Sequence, residues 1–330
     1  MYHNKNQQKG DLLMNEYNAM VSDNAREIIN RVRQVVVGKD ATLLWVLAAI
    51  LAKGHILLED IPGVGKTTMA LAFSKVLDLE YSRVQFTPDV LPSDVTGYSV
   101  LDPATGGMIY QPGAVLCNLF LADELNRATS RTQSALLEAM EEGQVTVDGT
   151  SHVLPKPFFV IATQNPTGAA GTQLLPDSQM DRFIMRLSLG YPSPKDEVAM
   201  VLNRQGANPL HQLQSLLTKD ALMAMQDEVT NTHVHPDIVQ YIVDLIVATR
   251  NSEDITRGAS PRATLAVTAL AKALAQLRGR DYVVPEDAQQ AFIKAVPHRL
   301  LLSPKAEGQQ KTAQRILELI VAQVPAPKLN

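Results

Sequence analysis

With one cysteine in 330 residues, Cys117, the chain has no intrachain disulfide framework and no cysteine-based metal cluster. Cys117 sits in an apolar run, where a packed thiol is expected rather than a reactive one. Neither sign of charge is in large excess: 30 Lys and Arg against 34 Asp and Glu leave −4. The bulk balance therefore does not select nucleic acid or an anionic membrane as partner. Long apolar runs are missing too. The longest, Leu43 to Ala52, stops at Lys53, well short of the roughly 20 residues that cross a bilayer. The opening "MYHNKNQQKGDLLMNEYNAM" lacks the apolar core of a secretion signal, so a cytoplasmic protein without membrane insertion is expected. Internal repeats and low-complexity tracts are also lacking. With 45% apolar and 19% charged residues, what remains is an ordinary globular chain, long enough for about two domains.

Residues 1–20 look frayed. Ser22 to Val37 carries Ile28, Ile29, Val32, Val35 and Val36 at helical spacing, broken at Gly38, and Asp40 to Ala52 reads as a more buried helix. Four apolar runs follow, "HILLE", "RVQF", "VLCNLFLAD" and "FFVIAT", with a fifth in "FIMRLSL". Near-continuous apolar strands alternating with helices predict an α/β fold with a five-stranded parallel sheet covered on both faces. Two segments break that rhythm. "GYSVLDPATGGMIYQPG" and "QVTVDGTSHVL" each place two β-like runs around a turn, the second around Asp148-Gly149, and predict inserted hairpins. Past "YPSP" the strand texture ends and helical spacing takes over. This divides the chain into an αβα core over 21–193 and an all-α domain over 194–330. The pair His233 and His235 in "THVHP" reads as a turn rather than a metal site.

The core contains "LLEDIPGVGKTTMA", which ends as a phosphate-binding loop but has Asp60 where the usual pattern starts with glycine. Backbone amides at a helix N-terminus do most of the anion binding in such a loop. Asp60 is tolerable at the start of the turn if its side chain points away or caps the loop. The segment Pro62, Gly63, Val64, Gly65, Lys66, Thr67 and Thr68 would wrap the phosphates, with Lys66 on the β- and γ-phosphates and Thr67 on a Mg²⁺ ion. "LFLADE" ends a buried strand in Asp123, a second Mg²⁺-positioning group, and Glu124, a general base for water. "FFVIATQNP" ends a strand in Gln164 and Asn165, amides able to orient that water and sense the γ-phosphate. The bland alternative is an Asx turn before Pro166.

Arg182, in "PDSQMDRFIMRL", stands where an arginine finger could reach a neighbouring subunit's nucleotide. Arg127 and Arg131 are rival donors. In "GASPRATLAV", Ser260 and Pro261 start a helix with Arg262 in its first turn, a cation opposing the helix dipole. An anion facing Arg262 rationalises that placement, and the γ-phosphate is the obvious candidate.

Taken together, "LLEDIPGVGKT", "QFTPDVLPSDVTGY", "LADELNRA", "LLEAMEEGQVT", "ATQNP", "LPDSQMDRF" and "GASPRA" resemble an AAA+ ATPase, more narrowly the MoxR family, from about Val21 onward. The acidic pair before the loop is itself like that family, and the hairpins match its helix-2 insert and pre-sensor hairpin. "QPGAV" departs from relatives at Ala114, with no catalytic consequence. The resemblance implies ATP and Mg²⁺ as ligands. It makes Lys66 and Thr67 Walker A, Asp123 and Glu124 Walker B, Asn165 sensor 1, Arg182 the finger and Arg262 sensor 2, and it puts Val37 and Gly38 at the adenine. It also implies a homo-oligomeric ring, usually a hexamer, with a chaperone-like role in remodelling, maturing or metallating a protein client, often one with a von Willebrand factor A domain. The client and whether hairpins or lid would bind it stay open. Two other readings compete: an ATP-gated assembly scaffold with little turnover, and a DNA-remodelling motor. The tips "DPATGG" and "DGT" carry no Lys or Arg, which weighs against nucleic acid.

Overall fold

The computed structural model describes residues 22–165, 175–203 and 208–328. The stretch expected to fray, 1–20, lies outside them. Helices α1 (Asp23–Arg33) and α2 (Asp40–Leu51) precede β1 (Ile56–Glu59) and α3 (Lys66–Val76). Helix α1 is amphipathic, burying Ala25, Ile28 and Val32. Helix α2 is apolar on every side and buried from Leu43 to Leu51, as a helix packed between layers must be. Then come β2 (Tyr81–Gln85), α4 (Pro92–Thr96), β3 (Gly97–Leu101), β4 (Met108–Pro112), β5 (Leu119–Asp123) and α5 (Ser130–Glu142). Strands β6 (Gln144–Val147), β7 (Thr150–Val153) and β8 (Phe159–Gln164) lead through the short α6 (Asp177–Met180) to β9 (Met185–Leu187).

The five expected strands form one parallel sheet in the order β2-β5-β8-β1-β9. Period-two alternation sends their side chains into two separate cores. Ile56, Leu58, Leu119, Leu121 and Ile161 face α2, α3 and the C-terminal helices. Leu57, Phe120, Ala122, Val160 and Ala162 face α5. His55 pins the two layers: its Nε2 donates to Met140 O at 3.1 Å and its Nδ1 accepts from Val160 N at 3.0 Å. Full burial lowers its pKa to about 4, so the ring stays neutral.

Both hairpins are present. β3 pairs β4, and β6 pairs β7 across Asp148 and Gly149, which carry φ of 49° and 78° as a tight hairpin turn requires. The two insertions touch each other, with the Tyr110 and His152 rings stacked at 3.6 Å.

From Pro194 the described chain is mainly helical: α7 (Pro194–Asn203), α8 (Pro209–Gln212), α9 (Lys219–Asn231), α10 (Pro236–Asn251), α11 (Pro261–Leu277), α12 (Pro285–Ala295), α13 (Pro304–Gly308) and α14 (Ala313–Gln323). One addition was not foreseen. β10 (Ile255–Arg257) and β11 (Leu301–Leu302) form a small antiparallel ribbon that leads into α11. His235 does close a turn, accepting from Asp237 N at 3.2 Å at the start of α10. The core on the α2 side continues without a break into α10, α11 and α12. The helical part is therefore packed on the sheet layer.

Candidate active site

Parallel strands bring their carboxyl ends to one edge, and ligands bind there. β1, β8 and β5 are adjacent, so the loop after β1, Asn165 after β8 and Asp123 at the end of β5 meet at that edge. A crevice of ≈ 360 Å³ is lined by Pro62, Gly63, Gly65, Lys66, Thr67, Thr68, Gln85, Asp123, Glu124 and Asn165. Gly63 and Gly65 have φ of +87° and +97°, and a Cβ at either would meet nothing within 4 Å. The backbone there is bent toward open space, as a cradle for a bulky anion needs. Helix α3 starts at Lys66, so its free amides and dipole face the same space. Val64 packs against the core instead of lining the crevice.

Lys66 is buried, and its Nζ donates to Asp60 O at 2.7 Å and Ile61 O at 3.3 Å. Burial lowers its pKa, while the charges of Asp60, Asp123 and Glu124 oppose that shift. The Asp60 side chain turns away from the crevice. Its carboxylate accepts from Ser188 Oγ at 2.7 Å, Leu189 N at 2.6 Å and Gly190 N at 3.0 Å. Asp60 thus bolts the start of the phosphate loop to the exit of β9.

Thr163 aligns the two acids. Its hydroxyl donates to Asp123 Oδ1 at 2.7 Å and accepts the Glu124 N–H at 2.8 Å. Arg83 donates to Asp123 Oδ2 at 2.8 Å. Glu124 sits at φ 57°, a costly conformation for a side chain of this kind and a recurrent feature of functional sites. Asn165 Nδ2 donates to its Oε1 at 3.0 Å, and Arg127 donates to its Oε2 at 2.7 Å. Arg127 foremost, helped by Asn165, holds the Glu124 carboxyl below the usual carboxylate range despite partial burial. A depressed pKa keeps the carboxylate ionised as pH falls through the normal range. Replacing Arg127 with alanine raises that pKa, so the acid limb of the rate profile should move to higher pH. An unmoved acid limb would show that Glu124 does not govern it.

Gln164 behaves differently from Asn165. It reaches back to Glu59, which Arg186 also contacts at 3.0 Å, and so takes no part in the crevice. Val37 and Gly38 stand elsewhere too. Gly38, at φ +72°, lies against Asp196 so closely that any Cβ would collide with that carboxylate, and Val37 lines a small pocket with Gln34, Met200 and Asn203. They mark the joint between α1 and α7.

Arg182 and Arg262 do not reach the crevice. Both converge on Glu141, near the C-terminal end of α5. Arg182 Nε lies 3.3 Å from Glu141 Oε2, within ion-pair range but without hydrogen-bond alignment, and this buried atom has no hydrogen-bond partner. Arg262 donates to Glu141 Oε1. Ser260 opens α11 as expected, yet its hydroxyl donates to Asp181 Oδ2 at 2.7 Å. Arg299 holds the same Asp181 at 2.6 Å, and Arg257 holds Asp177. These bonds tie the segment bearing Arg182 to the helix bearing Arg262. Arg127 is committed to Glu124 of its own chain, and Arg131 is exposed.

Residues 55–185 match the model of the ATPase family associated with various cellular activities, and residues 247–320 match the AAA lid domain. The chain is 44% identical to the uncharacterized protein YeaC of Bacillus subtilis, over 91% of this chain and 93% of that protein. It is 38% identical to chaperone MoxR1 of Mycobacterium tuberculosis, over 92% of this chain and 82% of that one. The chain belongs to the MoxR family of AAA+ ATPases. A crystal structure from Cytophaga hutchinsonii is similar at TM-score 0.85 and 34% identity, covering 98% of this chain and 99% of that one.

For this MoxR-family chain, reading the sequence missed three residues at or beside the crevice, Gln85, Arg83 and Thr163, and Glu141 outside it. Gln85 and Arg83 lie on β2, in register with β5, so pairing β2 beside the "LFLAD" strand would have exposed them. Thr163 is two residues before Asn165 and was legible as part of the same strand end. Glu141 carried no local signal.

Proposed function

We propose that this MoxR-family protein is a Mg²⁺-dependent ATPase that works as a homo-oligomeric ring, a hexamer by family resemblance. The observation that carries this reading is the split of the machinery. Cradle, acids and amide share one crevice, while Arg182 and Arg262 sit together outside it. Arg83 and Arg127 are spent on the crevice's own acids, and neither Arg182 nor Arg262 reaches it, so these two cations would serve a neighbouring subunit's γ-phosphate.

The donor set fits the ligands. A lysine, helix amides and two open glycines suit a triphosphate. Among the described residues no cluster of three His, Cys, Asp or Glu exists, which suits Mg²⁺ held by few protein groups plus phosphate and water. Thr67 and Asp123 would hold that ion, which when bound neutralises phosphate charge. Lys66 leaves the Asp60 and Ile61 carbonyls for the phosphates. Glu124 accepts a proton from the water that attacks Pγ, the bond from Pγ to the β–γ bridging oxygen breaks, and ADP and phosphate leave. Asn165 orients Glu124 during the attack.

The working division is a nucleotide-binding core over 21–193 and a lid over 194–330, in the cytoplasm. The name of the MoxR1 relative supports a chaperone-like role in remodelling or maturing a client. A von Willebrand factor A domain protein and a metallation step are the client class and task that the resemblance brings. Among the described residues no helix is long and apolar enough to cross a membrane.

Phosphate release at increasing protein concentration tests the ring. Specific activity should rise steeply with concentration and fall to background on chelating Mg²⁺. The gap between dilute and assembled protein should approach the 10³-fold or more that an arginine donated by a partner subunit is worth. Constant specific activity for a protein that light scattering shows as monomer would overturn the reading.

A further inference from the structure

We propose that Glu141 is a positioning residue that gathers Arg182 and Arg262 into one unit for the neighbouring subunit's terminal phosphate. This rests on the reading above that both arginines act in trans.

Glu141 lies one residue before the end of α5, in a last turn that holds acids and no basic residue. A carboxylate there opposes the helix dipole, just as Arg262 opposes it at the start of α11. Each placement is unfavourable alone, and the pair removes both conflicts at once. Glu141 also solves a second problem. Two guanidiniums aimed at one phosphate repel each other when that phosphate is away. One carboxylate oxygen toward each arginine lets them share a site while leaving a net charge of +1 on the trio. Arg182 Nε meets Glu141 Oε2 at 3.3 Å as an ion pair without a hydrogen bond, so the carboxylate draws the guanidinium in without locking it. The rest of each arginine's surroundings is stiff: Asp181 joins Ser260 and Arg299, and Arg257 joins Asp177. Helix α5 spans about 20 Å at 1.5 Å per residue. Its N-terminal end, Ser130, lies six residues past Glu124, beyond a short turn at Leu125–Arg127, so the helix leads from the neighbourhood of a subunit's own base toward the arginines it lends out.

The test uses mixed oligomers. A donor subunit carries Lys66→Ala and lends its arginines, and an acceptor carries Arg182→Ala and keeps an intact crevice. Glu141→Gln, which keeps shape and removes charge, is then added to one or the other. In the donor it should cut the restored kcat about tenfold, a milder loss than the hundredfold for a misplaced catalytic group, with KM for ATP unchanged. In the acceptor it falls on a finger already removed and reduces nothing further. Glu141→Asp in the donor should regain part of the rate. Undiminished rescue with the Glu141→Gln donor overturns this inference alone. Equal losses from donor and acceptor placement, with a lowered melting temperature, make Glu141 a structural residue and overturn it as well. No rescue before Glu141 is touched sinks the trans reading itself.

Discussion

Glu124→Gln lowers ATP turnover by about three orders of magnitude while leaving ATP affinity near that of the wild type. The size follows from what a positioned general base contributes, about 10²–10⁴-fold. The side chain is held at both oxygens, by Asn165 at 3.0 Å and Arg127 at 2.7 Å, and its backbone N–H is fixed by Thr163. An amide of the same shape therefore stays in place and still accepts from one of these donors. What it loses is the negative charge that draws the proton from water. Binding rests on the loop amides and Lys66, which the substitution does not touch. Steady-state phosphate release beside equilibrium binding of a fluorescent ATP analogue separates the two quantities. A variant rate within tenfold of wild type would place the base elsewhere. Equally negligible rates in both proteins would favour an ATP-gated scaffold over an enzyme.

Arg182→Ala abolishes turnover in homogeneous protein but regains it when mixed with a Lys66→Ala subunit. Each variant is defective for a different reason: one cannot lend the finger, the other cannot hold the phosphates. Only a mixed interface joins an intact crevice to an intact Arg182, so activity should peak at intermediate mixing ratios. The loss in the single variant should reach 10³-fold or more, as for other arginine fingers. Removing Arg182 does not touch the loop, the acids or Asn165, because it contacts Glu141 and not the crevice. A flat, inactive mixing curve would assign the finger elsewhere. Arg127 cannot easily replace it, being paired with Glu124 of its own chain.

The strands, the two hairpins and the anchoring motifs were legible because each depends on residues close in sequence. Near-continuous apolar runs in "HILLE" and "LFLAD" specify strands with two buried faces, and Asp148-Gly149 specifies a tight turn through its backbone freedom. The β10–β11 ribbon escaped because strands of three and two residues carry no measurable period. Asp60 shows the limit sharply. Its place in the loop read as an oddity to be tolerated, yet its carboxylate is fully engaged with residues 128–130 positions away.

Arg262 divides the two kinds of information most clearly. Helix-dipole physics, acting over one turn, already demanded an anion in front of it, and that demand is met. Which anion meets it is a matter of packing between α5 and α11, and the partner, Glu141, lies 121 positions earlier in the chain. By itself the sequence determined the strand pattern, the open glycine loop and the acids beside it, since local sterics and spacing specify those. Only the tertiary structure decided that Arg182 and Arg262 stand together and outside their own chain's crevice, because strand order and helix docking bring together side chains that no local period relates.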